Sequence, residues 1–233
     1  MIATGLLEAG AKVYIASRKL DVCQATAAEL AELGPCVALR ADLSTDAGCR
    51  ALADEVRAVE PALHVLVNNS GATWGAPLED FPDDAWSRSF DLNVRGAFNL
   101  TRALLPELRA AATPDDPGRV INVGSIDGLH VPLLETYAYS ASKAAVHHLS
   151  RVLAKRLGPH HITVNAIAPG PFESHMMRAT LEVAGDEIAA AAALGRIGRP
   201  DDMAGIAVYL ASRAGAYVTG AVIPVDGGLS TTL

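Results

Sequence analysis

Apolar residues along this chain fall into short continuous runs separated by longer stretches of helical spacing. The runs at 12–16, 37–39, 63–67, 119–123, 162–167 and 221–225 read as strands. Residues 1–9, 21–33, 45–59, 83–108, 136–157, 176–194 and 200–211 carry the spacing and composition of helices. Gly10 closes the first helix, so the chain opens inside a helix, and Gly34-Pro35 stops the second. Strands that are apolar throughout, rather than on alternate residues, need cover on both faces. The pattern therefore predicts an α/β fold, a parallel sheet with helices on either side. The stretch 113–118, rich in Asp and Pro, joins a helix to a strand as an ordinary surface loop, so residues 1–233 read as one domain.

Composition narrows the classes. A chain of 233 residues that is 50% hydrophobic and 19% charged can bury one large core. The net charge of −7, with basic residues scattered along the chain, excludes the footprint of a nucleic-acid binder. Cys23, Cys36 and Cys49 form neither an even set nor a CxxC pair, which argues against a disulfide framework or a zinc site and for reduced thiols in a cytoplasmic protein. No apolar run reaches the roughly 18 residues of a membrane span, and no basic segment precedes the apolar residues after Met1 as in a signal peptide.

The chemistry sits where strands end, since ligands of open parallel sheets bind beyond the carboxyl ends of the strands. Three polar turns follow strands there: Asn68-Asn69-Ser70-Gly71, Gly124-Ser125 and Ala168-Pro169-Gly170. The helix at 136–157 carries Tyr139 and Lys143 near its start, four residues apart on one helical face, where an ammonium beside a phenol favours its ionised form and makes a proton donor usable near neutral pH. Tyr137 has the wrong spacing for that pairing. His147-His148 and His160-His161 suggest a metal, but adjacent histidines point different ways and no carboxylate joins them at ligand spacing, so they read as surface or interface residues.

Taken together, the Asn68–Gly71 turn, Asn93 in the following helix, Ser125 after a strand, Tyr139 with Lys143 and the Pro169-Gly170 turn resemble the short-chain dehydrogenase/reductase family, in the family's order and over nearly the whole chain. The segments 1–10, 73–75 and 222–228 are similar to 3-oxoacyl reductases of the rhamnolipid-synthesis type. The resemblance implies a Rossmann-like doubly wound sheet and hydride transfer between a nicotinamide cofactor and a carbonyl carbon. It assigns Tyr139 as proton donor, Ser125 as hydrogen-bond donor to the carbonyl oxygen, Lys143 as the group that lowers the tyrosine pKa and holds the nicotinamide ribose, and Asn93 as support for a water relay to the lysine. Asn69, Gly71, Pro169, Gly170, Phe172 and Ser174 would contact the cofactor, and Asp42-Leu43 the adenine. Ser17-Arg18 ends the strand where an acid would hold a free ribose; a serine and a guanidinium there favour the 2′-phosphate of NADPH over NADH.

The family also opens on a strand and a TGxxxGxG turn that cradles the pyrophosphate, and the present sequence begins beyond both. The expectation is an α/β domain without the usual first strand, N-terminally truncated relative to the family, whose natural start lies upstream of Met1. Met176, Met177 and Leu181 could be plain packing or an apolar substrate lid. The leading functional expectation is NADPH-dependent reduction of a ketone, a 3-oxoacyl thioester above all. The alternatives are a sugar, steroid or polyketide ketone as substrate, or a non-catalytic scaffold kept for its oligomer surface. The family implies a homodimer or homotetramer built on the helices at 83–108 and 136–157.

Overall fold

The computed structural model describes residues 1–174 and 177–232. In chain order the elements are α1 (Ile2–Glu8), β1 (Val13–Ser17), α2 (Leu20–Leu30), β2 (Cys36–Arg40), α3 (Asp46–Arg57), β3 (Val65–Asn68), α4 (Asp84–Phe90), α5 (Ala97–Ala103), α6 (Leu105–Ala111), β4 (Gly118–Val123), α7 (Tyr137–Leu157), β5 (Ile162–Pro169), α8 (Arg178–Ala191), α9 (Pro200–Ala211) and β6 (Val222–Val225). Every strand pair is parallel, as continuous apolar strands require. The strands form two blocks, β2-β1 and β3-β4-β5-β6. The division falls between β1 and β3, where the family resemblance leads one to expect a central strand.

The two faces of the four-stranded block bury different layers. Val120 and Val164 turn toward α7 and join Leu52, Val56, Leu100, Leu104 and Leu108. Ile121 and Ile167 turn the other way and pack with Met203, Ala207 and Leu210 of α9. Each of these side chains is 7% exposed or less, so each of the Val, Leu, Ile and Met residues among them contributes roughly 1.5–3 kcal/mol of burial. Helix α1 closes on α9 through Gly5, where a Cβ would come within 2.6 Å of the Ala204 methyl. No helix of the described residues is long and apolar enough to cross a membrane.

Two predicted helices differ in detail. The stretch predicted as one helix over 83–108 is α4, a π-helical segment Asp91–Gly96, α5 and α6. It breaks at Leu104 (φ −95, ψ 6) because Pro106 has no N–H to donate and its ring crowds the carbonyl four residues back. The Ala103 carbonyl at that break accepts instead from Arg57 at 3.0 Å. Helix α8 is kinked at Ala184. Of the suggested lid residues, Met176 lies outside the described residues, while Met177 and Leu181 are half-buried on the approach to and first turn of α8.

Candidate active site

The carboxyl ends of β3, β4 and β5 converge beside the first turns of α7. Lys143 is 4% exposed, and its Nζ donates to the Val123 carbonyl at 2.7 Å, which leaves two further N–H groups. Its Nζ lies 5.4 Å from the centre of the Tyr139 ring. Burial pushes the Lys143 pKa down to about 8, with Asp127 pulling it back. The Tyr139 phenol moves the other way. Burial raises its pKa, the facing Ser125 hydroxyl opposes that shift, and the Asp127 charge adds to it. The sequence pairing predicts a tyrosine lowered by its lysine; here desolvation of the phenol outweighs any help from an ammonium that burial has itself weakened. The result is a proton held on Tyr139, the form a proton donor needs.

Ser125 caps the short 3₁₀ turn Ile126–Gly128, its Oγ accepting from the Asp127 N–H at 3.1 Å. Capping uses a lone pair and leaves the hydroxyl hydrogen to donate, so capping does not stand in the way of a hydrogen bond to a ligand. Asn93, in the π-helical segment and 3% exposed, clips the turn after β3 to α7. Its Oδ1 accepts from the Ala72 N–H at 2.8 Å, and its Nδ2 donates to the Ala72 carbonyl at 2.9 Å and to Ser142 Oγ at 2.8 Å. A π-bulge shifts the face that one residue presents, which is how an α-helical period fails to foretell this clip. A Cβ on Gly71 would sit 3.5 Å from Asn93 Oδ1 and 3.6 Å from Lys143 Nζ, so glycine keeps the approach to the ammonium open. Beneath these groups Asn68 donates to Thr101 Oγ1 (3.1 Å) and Asn122 Oδ1 (2.8 Å), and Asn122 donates to Ser150 Oγ (2.8 Å), tying β3, β4, α5 and α7 together.

The other strand ends carry the remaining candidates. Ser17 Oγ accepts from the Lys19 N–H at 3.2 Å, and Arg18 is exposed close enough to Asp42 to lower the carboxyl pKa, after the larger effect of Ser44. Asp42 Oδ1 accepts from both the hydroxyl (2.7 Å) and the N–H (3.1 Å) of Ser44. The Leu43 carbonyl is packed so closely against Gly96 that a Cβ there would approach to 2.4 Å. Asn69 is exposed on the rim. Pro169 ends β5, and the N–H of Gly170 bonds the Val225 carbonyl at 3.0 Å, which fixes that turn against β6. The Phe172 ring is buried in the α9 layer, so any cofactor contact there falls to its backbone; Ser174 is exposed, its Oγ accepting from the Met177 N–H at 3.2 Å. Tyr137 turns aside to Glu135 at 2.6 Å.

His147 corrects the sequence reading. It is not a surface residue like exposed His148, but is 2% exposed beneath the turn that carries Ser125. A Cβ at Gly124 would lie 2.1 Å from its Nε2, and one at Gly128 2.9 Å from its Cε1. Burial holds it neutral, with its pKa down to about 4. Its place one helical turn beyond Lys143 was the available signal, because residues four apart share a face. The sequence reading also passed over Asp127, two residues after Ser125.

Residues 1–230 match the family model described as Enoyl-(Acyl carrier protein) reductase. The rhamnolipids biosynthesis 3-oxoacyl-[acyl-carrier-protein] reductase of Pseudomonas aeruginosa is 48% identical, over 98% of this chain and 90% of the relative. The solved active-site complex of Pseudomonas aeruginosa RhlG with NADP superposes with a TM-score of 0.95 at 48% identity, covering 98% of this chain and 90% of that one. A gluconate 5-dehydrogenase from Burkholderia cenocepacia, in complex with NADP and tartrate, gives 0.91 at 31% identity, over 100% of this chain and 90% of that one.

Proposed function

The chain belongs to the short-chain dehydrogenase/reductase family of NAD(P)-dependent oxidoreductases, and from that premise we propose that it reduces ketones with NADPH, 3-oxoacyl thioesters in the first place. The observation that carries the reading is the convergence of Ser125, Tyr139 and Lys143 at one set of strand ends, with the tyrosine proton retained. NADPH, when bound, supplies the hydride. Tyr139 passes its proton to the carbonyl oxygen as negative charge develops there, and Ser125 donates a hydrogen bond to the same oxygen. The free N–H groups of Lys143 hold the ribose hydroxyls and replenish the proton, while Asn93 keeps the Ala72 turn against α7 so that these groups stay in register. Arg18 and Ser17 take the 2′-phosphate, Asp42 and Leu43 border the adenine, and Asn69, Gly71, the Pro169-Gly170 turn, the Phe172 backbone and Ser174 line the remainder.

The 3-oxoacyl reductase activity of the 48% identical relative favours the acyl thioester, and the gluconate 5-dehydrogenase of the same fold keeps sugar ketones as the competing class. Partly exposed Phe98 and Val152 on α5 and α7 suit a homodimer or homotetramer, and the free thiols of Cys23, Cys36 and Cys49 suit the cytoplasm. The test is nicotinamide absorbance with a matched panel. Turnover of an acetoacetyl thioester well above that of sugar ketones supports the assignment, and the reverse order overturns it.

A further inference from the structure

Beside the catalytic turn lies a groove of about 780 Å³ whose walls include Leu78, Trp86, Val131, Leu133 and Leu134. Most of its polar groups are spent on one another. The Tyr137 hydroxyl donates to Glu135 (2.6 Å), Thr136 Oγ1 meets Ser140 Oγ (3.3 Å), and His130 Nδ1 meets the Val131 carbonyl (2.9 Å). Asp127 also lines the groove, and there the pattern fails. Its backbone N–H holds Ser125 Oγ, but among the described residues its carboxylate has no hydrogen-bond or ion-pair partner. Three residues on in the chain, and also in the groove wall, His130 Nε2 is likewise buried without a partner among the described residues.

A half-buried acceptor in an apolar wall is a costly feature for a ligand that covers it with hydrocarbon, and a favourable one for a ligand that brings a donor. Taking as given that Tyr139 and Ser125 receive a ketone, we infer that Asp127 is a specificity residue of this site: it accepts a hydrogen bond from an N–H or O–H that the substrate carries near its reacting carbonyl. The substrate class is thereby an amphiphilic ketone, with an apolar chain along Leu78, Trp86 and Leu133 and a neutral donor such as an amide N–H at its polar end. Asp127 stands in the turn that Ser125 caps, and its charge is felt by both Tyr139 and Lys143, so the carboxylate lies on the side of the groove toward those groups. Burial raises the Asp127 pKa, with His130 and Lys143 opposing, as suits a carboxylate awaiting a donor.

The experiment uses the full chain and two probes, the 3-oxooctanoyl thioester of N-acetylcysteamine and its N-methyl analogue, in which a methyl group replaces the amide hydrogen. Calorimetric Kd values for the wild type should favour the N–H ligand about tenfold, with the ratio near one in Asp127→Ala and intermediate in Asp127→Asn. Should the alanine variant fail to fold, the asparagine variant decides, with at least a threefold loss of preference expected. Equal Kd values in the wild type, a preference that survives both substitutions, or no binding of either probe overturns the inference. Selective binding without NADPH oxidation would instead overturn the proposed reaction and leave the recognition standing.

Discussion

The two sets of strand ends are built on opposite terms. At β3, β4 and β5 the candidate groups are buried and cross-braced: Asn93 makes three hydrogen bonds to two elements, Lys143 is fixed at 2.7 Å on a carbonyl, and His147 lies under the serine turn. At β1 and β2 the corresponding groups are half-buried (Ser17) or exposed (Arg18, Asp42), and they are bonded within their own turns, Ser17 to Lys19 and Asp42 to Ser44. Proton transfer needs atoms placed to a few tenths of an ångström, and burial with redundant bonding supplies that. Reading a phosphate needs charge in the right neighbourhood, and a single exposed guanidinium serves. Substitutions at the first set should therefore affect rate and fold together, and at the second only selectivity.

The largest effect belongs to Tyr139→Phe. The ring and its packing remain, the transferable proton is gone, and turnover by nicotinamide absorbance should fall about 10³-fold, or about 4 kcal/mol. Retention of a tenth of the activity would place the proton donor elsewhere and dissolve the contrast. Next is the pH dependence of folding that His147 imposes. Its folded pKa of about 4 lies below the ordinary 6.5, so between those values the unfolded chain binds a proton that the folded one refuses. Stability is then complete above about pH 6.5 and declines as pH falls toward 4, by about 3 kcal/mol at about 1.4 kcal/mol per unit. Denaturant midpoints across that window should slope in the wild type and flatten in His147→Gln. Parallel slopes would show that burial beneath Ser125 is not what holds the imidazole neutral.

How far the sequence foretold this site divides along the same line. Apolar runs and glycine stops located the strands to within about two residues at most of their ends, because burial on both faces leaves a continuous signal. Tyr139 and Lys143 were legible from a spacing of four, and Ser125 from its place after an apolar strand. What escaped depends on departures from regular geometry. The π-helical segment around Asn93 changes which way an amide points, and Pro106 splits a helix whose apolar spacing runs on without interruption. The direction of the Tyr139 pKa escaped as well, because pair spacing carries the ammonium's influence but not the desolvation that exceeds it. The burial of His147 escaped too: that adjacent histidines point different ways argues against a metal but does not say which of the two faces inward, and it is His147, one turn beyond Lys143, that does.

Asn93→Ala sharpens the contrast by cutting the cross-brace while leaving the proton donor in place. It leaves the Ala72 N–H and carbonyl without their partner and removes the donor to Ser142 Oγ, which keeps its own bond to the Tyr139 carbonyl, and it should lower stability by about 2 kcal/mol in denaturant unfolding. Because the Ala72 turn then drifts from α7, kcat should fall more than KM rises. Unchanged stability with lost activity would make Asn93 purely a chemical group, and the reverse would make it purely a structural one.

The smallest effect is the one on the exposed side, and it tests whether that side is as loosely built as it looks. Arg18 sits in solvent near Asp42, so its attraction for a 2′-phosphate is screened and opposed by a neighbouring carboxylate. Arg18→Ala should lower kcat/KM for NADPH about tenfold, equivalent to about 1.4 kcal/mol, and leave that for NADH within twofold. Its unfolding free energy should stay within about 0.5 kcal/mol of the wild type, as for surface substitutions generally. The wild-type preference should also shrink as salt is raised across the range where the Debye length shortens from about 30 to about 3 Å, whereas the Tyr139-dependent step should not respond. A preference that survives both the substitution and high salt would mean that a buried group reads the phosphate, and that the cofactor half of the site is preorganised after all.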